Sequence, residues 1–172
     1  KKLGRFHEMS HLNVKKVDTA HLFMENKCIG CTIMMNRAIL PYLKELPEEI
    51  RVHDWWLALI CSHFGAIGYL PEATLMYRQH EGNQIGGTSY SGYLKKRVPK
   101  MKEQLPVLFD PYRQGKAFLQ VFDSKMTKEQ RKTATKFAAM TDASFLGRRY
   151  LALRYGFLKS GLIRNAGLFF LL

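Results

Sequence analysis

The chain has 172 residues, 47% of them apolar, enough to bury the core of one domain or of a domain with an appendage, and too many for a disordered sequence. Lys and Arg number 27 against 14 Asp and Glu, a formal net charge of +13 that attracts phosphates, nucleic acid or an anionic membrane without choosing among them. Three cysteines leave no second pair for a zinc ribbon, and their odd number favours a reducing compartment.

Residues 1–20 are basic and polar, and they read as a loop or linker; His7, His11 and His21 in and beside them suit solvent better than a metal. No apolar core of a secretory signal follows the first charges. The chain opens on Lys and closes in an apolar stretch, and is expected to be part of a longer polypeptide.

Cys28 to Met35 is a continuous apolar run, and with Gly30 inside it a buried strand is expected. Cys28 and Cys31 form a C-x-x-C there; small buried residues fit that setting better than zinc or redox chemistry. Arg37 to Leu46 reads as helix, with Pro41 in its first turn or kinking it, and Pro47-Glu48-Glu49 as a turn. Asp54 to His63 predicts a buried helix stopped by Gly65. Ala66 to Leu70 and Ala73 to Tyr77 read as short strands.

Glu81 to Gly92 is rich in Gly, Ser and Asn and predicts a loop, where the internal boundary is placed. Tyr93 to Lys102 is basic and amphipathic. Thr127-Lys128-Glu129-Gln130 has capping-box spacing, predicting a helix to Met140. A further helix is expected from an Asp142 cap to about Tyr155, and a last one from Gly161 onward.

Two stretches carry candidate chemistry. Asp54 opens its helix either as an N-cap or as a general base; a carboxylate fixed at a helix start serves the second role if it reaches the proton it removes. Trp55 and Trp56 point about 100° apart on a helix, so either both are core or one faces a groove, where a ring beside a carboxylate can seat a sugar. Arg78-Gln79-His80 either is a polar strand end in solvent or binds phosphate through Arg78, with His80 as a metal ligand or pH-sensitive donor.

In order, Gly30-Cys31-Thr32-Ile33-Met34-Met35-Asn36-Arg37, His53-Asp54-Trp55-Trp56 and Tyr77-Arg78-Gln79-His80 with Asn83 and Gly86 resemble the second half of family 2 glycosyltransferases, above all the rhamnosyltransferase-like branch that builds bacterial surface polysaccharides. The resemblance covers residues 20–90 well and 91–172 loosely. It implies an α+β, mainly α chain: the C-terminal, acceptor-side part of a GT-A fold without the nucleotide-binding N-terminal half. Residues 1–88 would be the acceptor side and 89–172 a basic helical tail.

The family transfers a sugar from a nucleotide diphosphate to a glycan or lipid-linked acceptor, with inversion at the anomeric carbon. By resemblance Asp54 is the catalytic base. Gly30, Cys31 and Thr32 border acceptor and donor sugar, Trp55 and Trp56 wall the acceptor site, Arg78, Gln79 and His80 belong to the segment that closes over the diphosphate, and Asn83 is a further substrate-binding residue. His80 would complete the shell of a divalent metal, Mg or Mn, held mostly by an Asp-x-Asp motif that this chain lacks. The chain alone is therefore expected to be inactive.

From Gly147 to Leu172, Arg148, Arg149, Arg154, Lys159 and Arg164 interleave with Leu, Phe and Tyr. Such a helix can lie on an anionic membrane or pack on its own domain with the arginines in solvent. The uncharged end, residues 165–172, is far short of the ~20 residues a span needs. A cytoplasmic protein, peripheral on the inner face of the cell membrane, is expected. The rival reading is a basic nucleic-acid-binding or membrane-surface module without catalysis; with no nucleic-acid motif in the tail, a nucleic-acid partner is not expected.

Overall fold

The computed structural model describes residues 4–76, 78 and 109–171 and is mainly helical, with no β-strand among the described residues. Seven α-helices occur in them: α1 (Phe6–Met9), α2 (Thr19–Met24), α3 (His53–Phe64), α4 (Asp110–Phe122), α5 (Lys128–Ala138), α6 (Phe145–Tyr155) and α7 (Leu162–Leu171). The expected loop at Glu81–Gly92 and the basic stretch Tyr93–Lys102 lie outside the described residues.

The core is aromatic and draws on helices α2 to α7. Phe23 of α2 stacks on Phe137 of α5 with ring centroids 4.5 Å apart, and meets Phe118 of α4 and His63 of α3 edge-on at 5.9 and 5.4 Å. Trp56 of α3 meets Phe118 edge-on at 5.2 Å. These rings form one cluster with Leu22, Leu59, Ile60, Phe122, Met140 and Phe157, all essentially excluded from water. Helices α4 and α5 approach closely because Gly115 leaves room: a methyl there would overlap the Phe137 ring.

Helix ends follow local chemistry. Asp18 caps α2 by accepting from His21 N at 3.1 Å. Thr127 and Gln130 form the expected capping box of α5: Thr127 Oγ1 accepts from Gln130 N and Gln130 Oε1 from Thr127 N. Gln130 Nε2 also donates to His63 O, joining α5 to the end of α3. Helix α6 is capped by Ser144, not Asp142, because a 3-10 turn over Ala139–Thr141 carries the preceding coil to Asp142 first. Gly156, at φ 72°, ends α6 in the left-handed region.

The expected strands are the main departure. Residues 28–35 do not form a buried strand: Gly30–Thr32 is a 3-10 turn between extended Ile29 and Ile33, Cys31 is exposed and Met34 is 97% exposed. An apolar run makes a strand only where partners complete its hydrogen bonds. Here the Gly30 N–H is taken by a carboxylate instead. Residues 66–70 and 73–76 likewise pair with no strand. The helix expected from Arg37 is a 3-10 turn, Arg37–Tyr42, with Pro41 inside it. The linker expected over residues 1–20 holds α1 and the start of α2.

His63 is buried among Phe23, Phe64 and Phe118. Its Nδ1 lies 3.2 Å from Leu59 O, and its Nε2 has no hydrogen-bond partner among the described residues. Burial pushes its pKa down to about 4, the Leu59 carbonyl opposing weakly. Between the ordinary 6.5 and about 4 the unfolded chain binds a proton that the folded chain refuses. Stability is therefore full above pH 6.5 and falls as pH drops through that window, by roughly 3 kcal/mol in all. Urea unfolding at pH 7.5 and pH 4.5 should show this loss in the wild type and a smaller one in His63→Leu. Equal losses in both would assign the acid sensitivity to other groups.

Candidate functional site

Asp54 occupies the second position of α3, after an N-cap at Val52 that offers no side-chain hydrogen bond. It is thus a first-turn residue rather than the N-cap. A carboxylate there is favoured by the helix dipole and by the unpaired N–H groups of the first turn. It is 8% exposed and held from three sides. Oδ1 accepts from Asn26 Nδ2 at 2.9 Å and from Trp55 N at 2.8 Å; Oδ2 accepts from Gly30 N at 2.9 Å.

The segment after α2 is built around this carboxylate. Asn26 donates to Asp54 and accepts from Cys28 N at 3.0 Å, which turns the chain toward Gly30. At Gly30 a Cβ would stand 2.9 Å from His53 Nε2 and 3.5 Å from Asp54 Oδ2, so any side chain would crowd the histidine. Thr32 Oγ1 donates to Ile29 O at 2.8 Å and closes the 3-10 turn. His53, Cys31 and Thr32 are exposed, and they bring a polar edge to the rim of the buried acid.

Of the residues singled out in the sequence, Asp54, Gly30, Cys31 and Thr32 come together. Trp55 and Trp56 are both buried. Trp55 Nε1 donates to Leu22 O at 2.5 Å, and Trp56 packs among Phe118 and Phe122, so neither ring offers a face to a sugar in this arrangement. Arg78 is exposed; Gln79, His80 and Asn83 lie outside the described residues. Asn26 and His53 are the additions. His53 could have been read from its place beside Asp54, whereas nothing in the sequence links Asn26 to a residue 28 positions on.

Comparison with protein-family models, with curated proteins and with solved structures gives no match for this chain.

Two of the thiols near Asp54, Cys28 and Cys61, are poor nucleophiles. Burial, then the charges of Asp54 and Cys61, push Cys28 up to about 11, and burial also raises Cys61. The cysteines are free thiols. Among the described residues no group of three His, Cys, Asp or Glu side chains could hold a metal, and no helix is long and apolar enough to cross a membrane. Asp54 does not offer a metal shell: its oxygens face N–H donors, a setting for a lone carboxylate.

Proposed function

We propose that this chain forms the acceptor side of an inverting, GT-A type glycosyltransferase of family 2, with Asp54 as the base that takes the proton from the acceptor hydroxyl. The carrying observation is the Asp54 carboxylate itself. It stands at the start of a buried helix, fixed in direction by Asn26, Gly30 and Trp55, under an exposed rim of His53, Cys31 and Thr32. A general base needs that fixed direction, and Oδ2, with one donor on it, keeps a lone pair for an incoming hydroxyl.

The reaction passes through an oxocarbenium-like transition state, in which the hydroxyl attacks the anomeric carbon as the diphosphate leaves from the opposite face. Proton removal by Asp54 raises the nucleophilicity of that hydroxyl. A divalent cation, Mg or Mn, would neutralise the departing diphosphate if held by an Asp-x-Asp motif, which is not among these 172 residues, and Arg78 would pair with the same phosphates. The rhamnosyltransferase-like motifs favour rhamnose as the sugar and a glycan or lipid-linked acceptor for surface polysaccharide.

The test is sugar transfer by the complete gene product against a panel of nucleotide sugars with Mg²⁺ or Mn²⁺. Asp54→Asn should lower the rate by ~10²-fold or more while circular dichroism stays unchanged. An Asp54→Asn variant as fast as the wild type would remove Asp54 from the chemistry.

A second reading is favoured by the same hydrogen bonds. Both carboxylate oxygens already accept from the protein, as in a clamp that pins residues 26–30 to α3. Under that reading Asp54→Asn costs stability and leaves the rate alone.

A further inference from the structure

Helices α6 and α7 carry apolar side chains on the face turned away from the core. On α6 the buried side holds Ala152, while Phe145, Leu146, Tyr150 and Leu153 are 60–73% exposed. At 100° per residue these four fall within one arc of about 140°. On α7, Leu168 faces inward, and Leu162, Ile163 and Phe170 are 89, 62 and 79% exposed within an arc of about 100°. Arg149 Nη2 donates to Phe169 O and so holds the end of α7 beside the first turns of α6. Seven large exposed apolar groups on two adjoining helices exceed the scattered exposure of an ordinary surface.

Charge selects the occupant. Residues 143–172 contain five Arg or Lys and no acid. Arg164 is turned inward to Glu25, but Arg154 is exposed, and Arg149 lies on the outward arc with its guanidinium 3.3 Å over the Phe145 ring. A second copy of a chain with net charge +13 would bring like charge against like. An anionic lipid surface offers depth for Leu and Phe and, beside the apolar arc, phosphates for exposed Arg154, while Arg149 also donates to Phe145 O and Phe169 O.

We propose that the outward faces of α6 and α7 form a docking surface for an anionic bilayer, lying in its interface. The assignment does not rest on the transferase reading.

The 172-residue chain is sedimented with vesicles of phosphatidylcholine alone and with phosphatidylglycerol added. It should bind the anionic vesicles at least ~10-fold more tightly, less so at high salt. Leu153→Glu with Phe170→Glu should weaken binding ~10-fold or more. Leu46→Glu with Leu70→Glu makes the same charge change at exposed positions elsewhere and should bind nearly as the wild type. All four side chains are exposed, so both variants should keep the wild-type circular dichroism. The proposal is overturned if the wild type stays in solution with anionic vesicles, or if the two variants lose binding equally. It is also overturned if light scattering shows a dimer that the Leu153/Phe170 variant abolishes, which would give the face to a second copy.

Discussion

Asp54→Ala is expected to lower the unfolding free energy by roughly 3 kcal/mol, from urea denaturation followed by tryptophan fluorescence. The methyl leaves three donors without their acceptor: the Asn26 amide, the Gly30 N–H and the Trp55 N–H. An orphaned buried donor costs about 1–3 kcal/mol. Asn26 and Gly30 are half-buried and can turn to water, so the total falls well below three full penalties. Asp54→Asn keeps one acceptor oxygen but sets an NH₂ against N–H donors, and should cost about half as much. The two variants separate the roles of the carboxylate. A base gives a rate loss in Asp54→Asn far beyond what its stability loss explains; a clamp gives two stability losses in the order Ala above Asn, with no matching rate loss. Unfolding of Asp54→Ala within about 0.5 kcal/mol of wild type would mean that the carboxylate does not hold residues 26–30 in place.

Local rules reached far into this fold but stopped at tertiary partners. The α3 helix was legible to within one residue at each end, because its apolar run and Gly65 bound it. Gly65 ends it at φ −154°, ψ −138°, outside the left-handed region. The capping box of α5 was legible because both of its bonds are made within four residues. Helix α4 was expected only as an unspecified part of a helical tail over 89–172, although Asp110-Pro111 opens it and Tyr112, Phe118 and Phe122 line its buried side. Gly115 in its middle makes it look weak as a helix, and the reason for that glycine, the Phe137 ring, lies on another element. The strands at 28–35, 66–70 and 73–77 were expected from short apolar runs, whose conformation depends on neighbours that the run does not specify. Half of the candidate site was legible for the same reason. Asp54 and Gly30 stand out by residue type and place, but the Asn26 amide reaches Asp54 only because α2 packs on α3.

Glu25→Ala is expected to cost about 3–5 kcal/mol, or a fall in Tm on the order of 10 °C. Glu25 sits at the C-cap of α2, with only 10% of its side chain exposed. One carboxylate oxygen accepts from Ser160 N at 2.8 Å, and the other pairs with Arg164 Nη1 on α7. Arg164 Nη2 in turn donates to Ser10 O, and Ser160 Oγ accepts from Asn13 N at 2.9 Å. One acid therefore ties residues 10–13 to the turn before α7 and to its first turn. Removing it strands a guanidinium that is 17% exposed and already has one nitrogen, Nε, without a partner among the described residues. The cost is that of a buried cation left alone, larger than the net worth of the pair itself. Glu25→Gln, which can still accept from Ser160 N, should lose less. Glu25→Ala combined with Arg164→Met should recover part of the loss, because the uncompensated charge goes with the arginine. A double variant no more stable than Glu25→Ala would show that the pair contributes through the Ser160 and Ser10 backbone contacts rather than through charge.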